Sequence, residues 1–301
     1  MISIDEIKLF FKGEMKLSEP LLKYTSFRIG GPADYYLEPA DKDDLVNLIR
    51  YVQRNQIPFI IIGSGSNVLI SDEGYRGVVI NLEARVNRLE VRGDTVMAET
   101  GVRTPRFVDF CVQRSLQGVE MLVGIPGTIG GAVIMNAGAH GGQISDYLVE
   151  VEVFREGKVI RVAKEEGEFA YRRSGFIRDV VLSAAFRLPK GDKDELMRRR
   201  REFLVKRGKT QPLNFPNSGS MFKNPPGTYA AKLIEEAGLK GLRKGDAQIS
   251  ELHANFFVNL GRASATDVLE LMRIARETVH EKFNTTLEPE VKLVGFSTEL
   301  V

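Results

Sequence analysis

The sequence has few residues of the types that bind metals or form disulfides. Cys111 is its one cysteine, and it has three histidines among 301 residues. A single cysteine excludes an internal disulfide and a Cys-rich metal site, and it favours a reducing compartment. His140 and His280 show no partner pattern for a metal, so we expect them in a loop and on a helix surface. We therefore predict no metal site.

The sequence also lacks a strong charge of either sign. Lys and Arg number 42 and Asp and Glu number 40, so the formal net charge is +2. This charge is too small to indicate a nucleic-acid partner. Residues 1–17 mix acids with apolar residues and have no long apolar core, so we expect no signal peptide, no membrane partner and a cytoplasmic location. The length predicts two or three lobes with sizeable cores.

One long uncharged stretch stands out, GIPGTIGGAVIMNAGAHGG at residues 124–142. A membrane-spanning helix needs about 20 regular apolar residues, but Pro126, Gly130 and Gly131 weaken any helix here. We expect tight turns and short buried segments, where the backbone can approach a flat or phosphorylated ligand closely. A buried loop at a domain junction is the alternative.

A second glycine-rich segment, GSGSN at residues 63–67, follows a predicted strand at 59–62. It does not match a dinucleotide-binding fingerprint, because Val68 stands where the third glycine belongs and a further strand, 78–82, follows in place of a helix. Its backbone N–H groups and hydroxyls suit a diphosphate. A plain hairpin loop fits equally well, and the motif alone leaves both interpretations open.

The remaining patterns predict an α+β protein. Thr104 before Pro105 indicates an N-cap, and Ser264 with Asp267 a capping box. Cys111 is predicted to be a buried structural thiol. Residues 210–227 contain too many breakers for a regular element. Helices are predicted at 4–11, 43–55, 104–115, 192–207, 229–237 and 264–283, and further strands at 89–91, 96–99, 180–188 and 253–260, in a hairpin turning at 156–157, and in the tail LEPEVKLVG.

Five ordered motifs carry a family resemblance along nearly the whole chain. They are GSGSN at 63–67, GIPGTIGG with NAGA at 124–139, YRRS at 171–174, GSMFKNP at 219–225 and EPEV at 288–291. On these motifs the chain resembles the UDP-N-acetylenolpyruvoylglucosamine reductases, flavin enzymes that complete UDP-N-acetylmuramate for bacterial peptidoglycan. One glycine loop would be weak support, but five motifs in order are specific.

The resemblance implies an α+β fold of the vanillyl-alcohol-oxidase (PCMH) type. Two α+β subdomains, expected at residues 1–85 and 86–190, would hold FAD between them. A C-terminal α+β domain at 191–301 would cover the substrate, and the tail would return to the first subdomain. The cofactor-binding residues implied by the motifs are Gly63, Ser64, Gly65, Ser66, Asn67, Val68, Gly124, Pro126, Gly127, Thr128, Gly130, Gly131, Asn136 and Gly138.

The resemblance also implies the reaction. A hydride from NADPH reduces the flavin, which then reduces the enolpyruvyl group of the sugar nucleotide, and negative charge appears beside the substrate carboxylate. The family positions make Arg172 the electrophilic stabiliser, Ser220 the proton donor and Glu290 a carboxyl that donates when protonated, which requires a raised pKa. Implied substrate contacts are Lys223 and Asn224, with Tyr171 and His253 as weaker candidates.

Two departures and two alternative functions stay open. Asp246 stands where the family pattern has a second glycine, and the short last lobe resembles the subtype that lacks an inserted substrate-closing loop and its tyrosine. A flavin oxidase of the same fold is one alternative; many of these tether FAD through His or Cys, and GSGSN has neither, so we expect non-covalent FAD. The other, a nucleotide-sugar-binding regulator, leaves Arg172, Ser220 and Glu290 unexplained. Protein partners and oligomeric state are not indicated.

Overall fold

The structure is a computed structural model that describes residues 4–296. Its helices within this range are α1 (Ile4–Phe10), α2 (Lys42–Arg54), α3 (Thr104–Gln113), α4 (Ile129–Ile134), α5 (Lys193–Thr210), α6 (Ala230–Glu236) and α7 (Ala265–Phe283). Its strands are β1 (Glu14–Pro20), β2 (Pro32–Glu38), β3 (Phe59–Ile62), β4 (Val68–Ile70), β5 (Tyr75–Asn81), β6 (Leu89–Arg92), β7 (Thr95–Glu99), β8 (Gly138–Ala139), β9 (Gly142–Gln143), β10 (Leu148–Arg155), β11 (Lys158–Ala163), β12 (Val180–Arg187), β13 (Asn217–Ser220), β14 (Arg243–Lys244), β15 (Ala247–Ile249), β16 (Phe256–Asn259) and β17 (Lys292–Val294).

Two larger sheets form in the first two thirds of the chain. One has the strand order β1-β2-β5-β3, with β3 and β5 parallel and Phe59 opposite Val78. The other has the order β11-β10-β12-β7-β6 and is antiparallel throughout. Two of its neighbouring pairs, β6–β7 and β10–β11, are hairpins with short turns, and in the second Arg155 lies opposite Lys158.

The chain divides into two compact units. The first unit comprises residues 4–16, 35–64 and 77–206 of the described chain, and the second comprises 17–34, 65–76 and 207–296. The three-lobe division expected from the sequence remains a prediction.

The first unit contains two apolar clusters. Leu45, Leu48 and Val52 of α2 bury one helical face beside Val78 and Ile80 of β5, as the spacing predicts. The second cluster joins α3 and α4 to the antiparallel sheet. Cys111 lies in this cluster and is fully buried, and burial raises the pKa of its thiol to about 12. The prediction of a structural thiol is confirmed.

The second unit has a sheet of order β13-β16-β15-β14, packed against α6 and α7. Its core joins residues that are distant in sequence, including Phe27, Leu69, Phe222 and Leu271. The last strand, β17, pairs in parallel with β4, so that Lys292 lies opposite Val68. The tail strand predicted from LEPEVKLVG is therefore present.

Helix starts follow capping chemistry, with one correction. The Ser264 hydroxyl accepts from the Asp267 N–H at 3.0 Å, and Asp267 Oδ2 accepts from the Ser264 N–H at 2.9 Å, which confirms the predicted capping box. Thr104 is not the N-cap of α3; that position is Arg103. The Thr104 hydroxyl instead donates to the Gly127 carbonyl at 3.3 Å, so a tertiary contact uses the group that was expected to cap.

Three further expectations need correction. The uncharged stretch contains a helix, α4, where only turns and short segments were expected; the N–H groups of Ile129 and Gly130 are tied to Val102 and Thr100 at 2.8 and 2.9 Å, and tertiary contacts override the glycine penalty. Residues 210–227 include a strand, β13. The strand expected at 253–260 is shorter, Phe256–Asn259, because a turn precedes it.

No helix within the described part of the chain is long and apolar enough to cross a membrane. Within residues 4–296, no group of three or more His, Cys, Asp or Glu residues is arranged to hold a metal ion.

Candidate active site

The glycines of the first unit fall into two kinds. A Cβ at Gly63 would overlap the Thr128 side chain, and one at Gly130 would overlap the Thr100 hydroxyl, so both glycines serve close packing within the protein. A Cβ at Gly131 would meet only Thr128 Oγ1, at 3.9 Å. Gly131 is exposed at the start of α4, and the space beside it is open to a ligand.

Asn136, two residues after α4, has a buried acceptor without a donor. Its side-chain Nδ2 donates to Gln143 Oε1 at 2.9 Å and to the Ala170 carbonyl at 3.0 Å. Since that carbonyl can only accept, these bonds fix the orientation of the amide. Asn136 is 1% exposed, and its Oδ1 has no hydrogen-bond partner among residues 4–296. Buried polar atoms are nearly always paired, so Oδ1 indicates a ligand donor.

The YRRS motif forms a two-residue turn against this segment. Ala170 and Arg173 exchange backbone hydrogen bonds of 2.9 and 3.2 Å, which places Tyr171 and Arg172 at the tip. Arg172 has φ 54°, a left-handed conformation that costs about 1–3 kcal/mol for a non-glycine residue. Strain of this kind persists where the surroundings fix it and is common at functional sites.

Two contacts hold the turn in place. The Ser174 hydroxyl donates to the Ile134 carbonyl at 2.9 Å, and Arg172 Nη1 donates to the Gly138 carbonyl at 3.2 Å. The Arg172 guanidinium also lies 5.2 Å from the centre of the Tyr171 ring, which is 53% exposed. The predicted catalytic arginine and the predicted flavin-binding stretch are therefore adjacent in the first unit.

The other predicted cofactor residues are placed as follows. Gly63 and Ser64 end the first unit's part of the GSGSN loop, and Gly65 to Val68 belong to the second unit. Gly65 has φ 56° and packs against the Tyr24 carbonyl. Its own carbonyl accepts from the Ser26 N–H at 3.1 Å, so this glycine too serves internal packing. Between residue 123 and α4 lie Gly124, Pro126, Gly127 and the N-cap Thr128.

In the second unit the GSMFKNP and EPEV motifs pair along their backbones. The Met221 carbonyl accepts from the Glu290 N–H at 2.8 Å, and Lys223 N–H donates to the Glu288 carbonyl at 2.8 Å. Between them Phe222 forms a bridge with Pro289. Ser220 and Glu290, about seventy residues apart in sequence, are thus held on neighbouring segments.

Asn67 of the GSGSN loop joins the same assembly. Its Nδ2 donates to the Glu290 carbonyl at 3.2 Å, across 223 residues of sequence. Its backbone carbonyl accepts from the Lys292 N–H at 3.0 Å. Three of the five motifs therefore contribute to one site in the second unit.

Ser220 is aimed by a strand irregularity. It ends β13 opposite Phe256, and the register shifts between Asn217 and Ser220, where Gly219 has φ 77°. Bulges of this type re-aim side chains and are frequent next to active sites. The Ser220 hydroxyl has no hydrogen-bond partner within the described residues, so it is available to a ligand.

A residue that the sequence analysis did not single out, Asn255, fixes the segment after Ser220. Its Oδ1 accepts from the Phe222 N–H at 3.0 Å, its Nδ2 donates to the Phe222 carbonyl at 2.8 Å, and its own carbonyl accepts from the Met221 N–H at 2.9 Å. Asn255 is 2% exposed. Its neighbours HANFFVN carry no motif, so only the tertiary structure reveals this role.

The predicted substrate contacts of this unit also have structural partners. The Lys223 ammonium forms an ion pair with Glu288, the first residue of the EPEV motif. Asn224 Oδ1 accepts from the Ala230 N–H at 3.1 Å at the start of α6. His253 Nδ1 accepts from the Asn255 N–H at 3.3 Å, and burial lowers the pKa of its imidazole.

The departure at Asp246 is explained by the fold. Its Oδ2 accepts from the Arg262 N–H at 3.0 Å and its Oδ1 lies 3.3 Å from Arg243 Nη2. The Asp246 carboxylate therefore links its own turn to the backbone at Arg262, and a glycine at this position could not make that hydrogen bond.

Two family models match the chain. An FAD-binding domain matches residues 33–163, and the C-terminal domain of UDP-N-acetylenolpyruvoylglucosamine reductase matches residues 211–294. These matches confirm the predicted class of fold, an α+β FAD-binding fold with a C-terminal α+β domain.

Whole-length relatives agree with both models. A UDP-N-acetylenolpyruvoylglucosamine reductase of Chloroherpeton thalassium is 44% identical over 99% of this chain and 98% of its own. A second one, from Symbiobacterium thermophilum, is 46% identical over 94% of this chain and 93% of its own. The crystal structure of UDP-N-acetylenolpyruvylglucosamine reductase (MurB) from Thermus caldophilus has a TM-score of 0.81 at 38% identity, covering 95% of this chain and 100% of that one. The chain therefore belongs to the UDP-N-acetylenolpyruvoylglucosamine reductase family and is an FAD-dependent oxidoreductase.

Proposed function

We propose that this chain reduces the enolpyruvyl group of UDP-N-acetylglucosamine enolpyruvate to give UDP-N-acetylmuramate for peptidoglycan, with NADPH as the hydride donor. The observation that carries the proposal is the backbone pairing of the Ser220 segment with the Glu290 segment and Asn67. This pairing brings the backbone segments of a hydroxyl proton donor and of a carboxyl group side by side, and the reduction of an enolpyruvyl group uses both groups. The names of the whole-length relatives support the same substrate.

The first unit has the features that FAD requires. Asn136 Oδ1 is a buried acceptor without a donor, and the flavin ring system carries an N–H donor. Gly131 offers open space for a flat ring at the start of α4. We assign FAD to these two residues together with the predicted set from GSGSN and residues 124–138. When bound, FAD supplies the hydride chemistry, accepting a hydride from NADPH and delivering it to the enolpyruvyl group.

The chain's own residues stabilise the charge that develops on the substrate. Hydride addition to the terminal carbon places negative charge on the carbon beside the carboxylate. The Arg172 guanidinium stabilises that charge as a fixed cation. Glu290 in its protonated form donates a hydrogen bond to the same group. An ionised Glu290 would repel it, so this role requires a raised pKa.

Ser220 delivers the proton that completes the reduction. A serine hydroxyl is a weak acid, but a carbanion conjugated to a carboxylate is basic enough to take its proton, and water restores the hydroxyl. At the irregularity of β13, the Ser220 hydroxyl makes no hydrogen bond to another of the described residues. The Lys223 ammonium is engaged in an ion pair with Glu288. Of these two candidate proton donors, Ser220 is therefore the one whose donor group is not already paired.

An anaerobic two-step titration tests the proposal. NADPH should bleach the yellow holoenzyme, and UDP-N-acetylglucosamine enolpyruvate should restore the colour with formation of UDP-N-acetylmuramate. An oxidase would be bleached by an alcohol or sugar and recover with oxygen. A binding protein would show no change with NADPH. Bleaching without recovery on adding the enolpyruvyl substrate would refute the proposed substrate.

A further inference from the structure

The side chain of Gln143, in the β8–β9 hairpin, holds one of the residues to which we assign FAD. Its Oε1 accepts from Asn136 Nδ2 at 2.9 Å, and the Ala170 carbonyl accepts from the same nitrogen at 3.0 Å. An amide nitrogen carries two hydrogens, one for each of these acceptors. The Asn136 amide is thereby held at two points, and its remaining polar atom, Oδ1, is buried without a partner among residues 4–296.

The two contacts of the Asn136 amide control different things. The Ala170 carbonyl can only accept, so it determines which end of the amide is the nitrogen. This single hydrogen bond would still allow the amide to rotate about the contact. The second bond, to Gln143, prevents that rotation, and it polarises the amide so that Oδ1 becomes a stronger acceptor. Gln143 therefore affects both the direction and the strength of the free acceptor.

The backbone of Gln143 is fixed independently of its side chain. Its N–H donates to Asp146 Oδ2 at 2.9 Å. In the β8–β9 hairpin Gln143 lies opposite Gly138, whose carbonyl accepts from Arg172 Nη1 at 3.2 Å. One short hairpin therefore carries both the support of the Asn136 amide and a contact of the predicted catalytic arginine.

Asn136 itself has a backbone conformation that needs support. Its φ is 43°, in the left-handed region, and the residue is 1% exposed. Asparagine adopts this region more readily than most residues, but a strained residue keeps it only where its surroundings hold it. A buried amide held at both of its hydrogens suits an acceptor that must meet a ligand donor in one fixed direction.

We propose that Gln143 is a positioning residue for FAD, which holds Nδ2 of Asn136 and so directs Oδ1 toward an N–H of the flavin ring. The inference rests on the assignment of FAD to Asn136 under the proposed function. Gln143 lies outside the five motifs. Because it acts through Asn136 on the cofactor, its removal should change FAD binding in the absence of any substrate.

Titration of the apoprotein with FAD, followed by the change in flavin fluorescence, tests this role. Gln143→Leu removes the acceptor and should weaken FAD binding about fivefold or more, as expected for loss of one hydrogen bond. The long-wavelength absorption band of the bound flavin should shift, because the hydrogen bonding of the ring changes. Gln143→Glu, whose carboxylate accepts from the same N–H, should restore the affinity and the band. Gln113→Leu, the same change at the exposed end of α3, should leave the Kd within about twofold.

A double-mutant cycle separates positioning from stability. Asn136→Ala should weaken FAD binding, and adding Gln143→Leu to it should have no further effect, because Gln143 acts through Asn136. Additive losses would overturn the proposal, and so would an unchanged Kd in either single variant.

Comparison of Gln143→Leu with Gln143→Glu decides the question if Asn136→Ala does not fold. Equal losses of FAD affinity in these two variants would show that Gln143 serves only the hairpin. Neither NADPH nor the sugar nucleotide is present in these titrations, so the result stands even if the enolpyruvyl substrate proves wrong.

Discussion

Ser220 combines a free hydroxyl with a backbone irregularity, and its role can be isolated kinetically. We expect Ser220→Ala to slow reoxidation of pre-reduced enzyme by the enolpyruvyl substrate by about 10²-fold or more, the lower range for general acid catalysis. NADPH should still bleach the flavin at nearly the normal rate. Ser220→Cys should recover part of the loss, because a thiol also donates a proton. Anaerobic stopped-flow measurement of both half-reactions provides the check; reoxidation of Ser220→Ala within about tenfold of the unmodified rate would rule out the serine as donor.

Arg172 occupies a turn position that glycine prefers, so its stability and its activity should separate. Arg172→Gly relieves the left-handed strain and should not lower the Tm, although the contact with the Gly138 carbonyl is lost. The same change should slow the second half-reaction by about 10²–10³-fold, as for loss of one oxyanion donor. Arg173→Gly, one residue on, serves as the control. Equal slowing of both half-reactions in Arg172→Gly would make Arg172 a binding or structural residue.

His253 gives the second unit a predictable response to acid. Burial lowers the pKa of its imidazole below the ordinary value of 6.5, so the unfolded chain binds the proton more readily. The free energy of unfolding should therefore fall as the pH drops below about 6.5. His253→Gln should reduce the slope of this decline, measured by urea denaturation at a series of pH values. His280→Gln, at an exposed helix position, should retain it. An identical slope in both variants would show that His253 titrates normally.

At the scale of elements, the short helix α4 contains two adjacent glycines, of which Gly130 packs against the protein and Gly131 faces open space. Gly130→Ala places a methyl group against the Thr100 hydroxyl and should lower the Tm whether or not flavin is present. Gly131→Val extends into open space, so the apoprotein should keep its Tm, and the purified enzyme should be colourless. Absorbance near the flavin bands and thermal melts of apoprotein measure the two effects. A yellow, active Gly131→Val enzyme would show that this glycine is only structural.

How much of these elements could be predicted depends on whether the signal is local. The capping box of Ser264 and Asp267, the face of α2 and the β10–β11 hairpin arise from neighbouring residues, and all were predicted. α4 and β13 were missed, because the hydrogen bonds from Gly130 to Thr100 and from β13 to β16 come from distant segments.

Whether a site residue could be predicted also depends on whether its signal lies in the local sequence. The motifs identified Arg172, Ser220 and Glu290 through family order. They gave no indication of the role of Asn255 or of the ion pair between Lys223 and Glu288, since these contacts depend on which segments meet in space.

For the whole molecule, the sequence predicts how FAD is retained. The GSGSN loop contains neither His nor Cys, and Cys111 is buried with a raised thiol pKa. A covalent link would require a reactive thiolate or imidazole near the cofactor. Acid precipitation should therefore release all of the yellow colour into the supernatant, measured as free FAD by chromatography. Flavin that stays with a washed pellet would contradict this prediction.

The composition of the second unit also bears on how the chain is made. Its core joins Phe27 and Leu69 to side chains of α7 and β17, so it closes loops of roughly two hundred residues. During synthesis on a ribosome, the segments that carry Phe27 and Leu69 emerge long before α7 and β17. Until those later elements are made, the apolar side chains of the early segments stay exposed. A nascent chain interrupted before α7 keeps both clusters of the first unit but leaves Phe27 and Leu69 without a core. Such fragments are the form of this protein that should most need a chaperone.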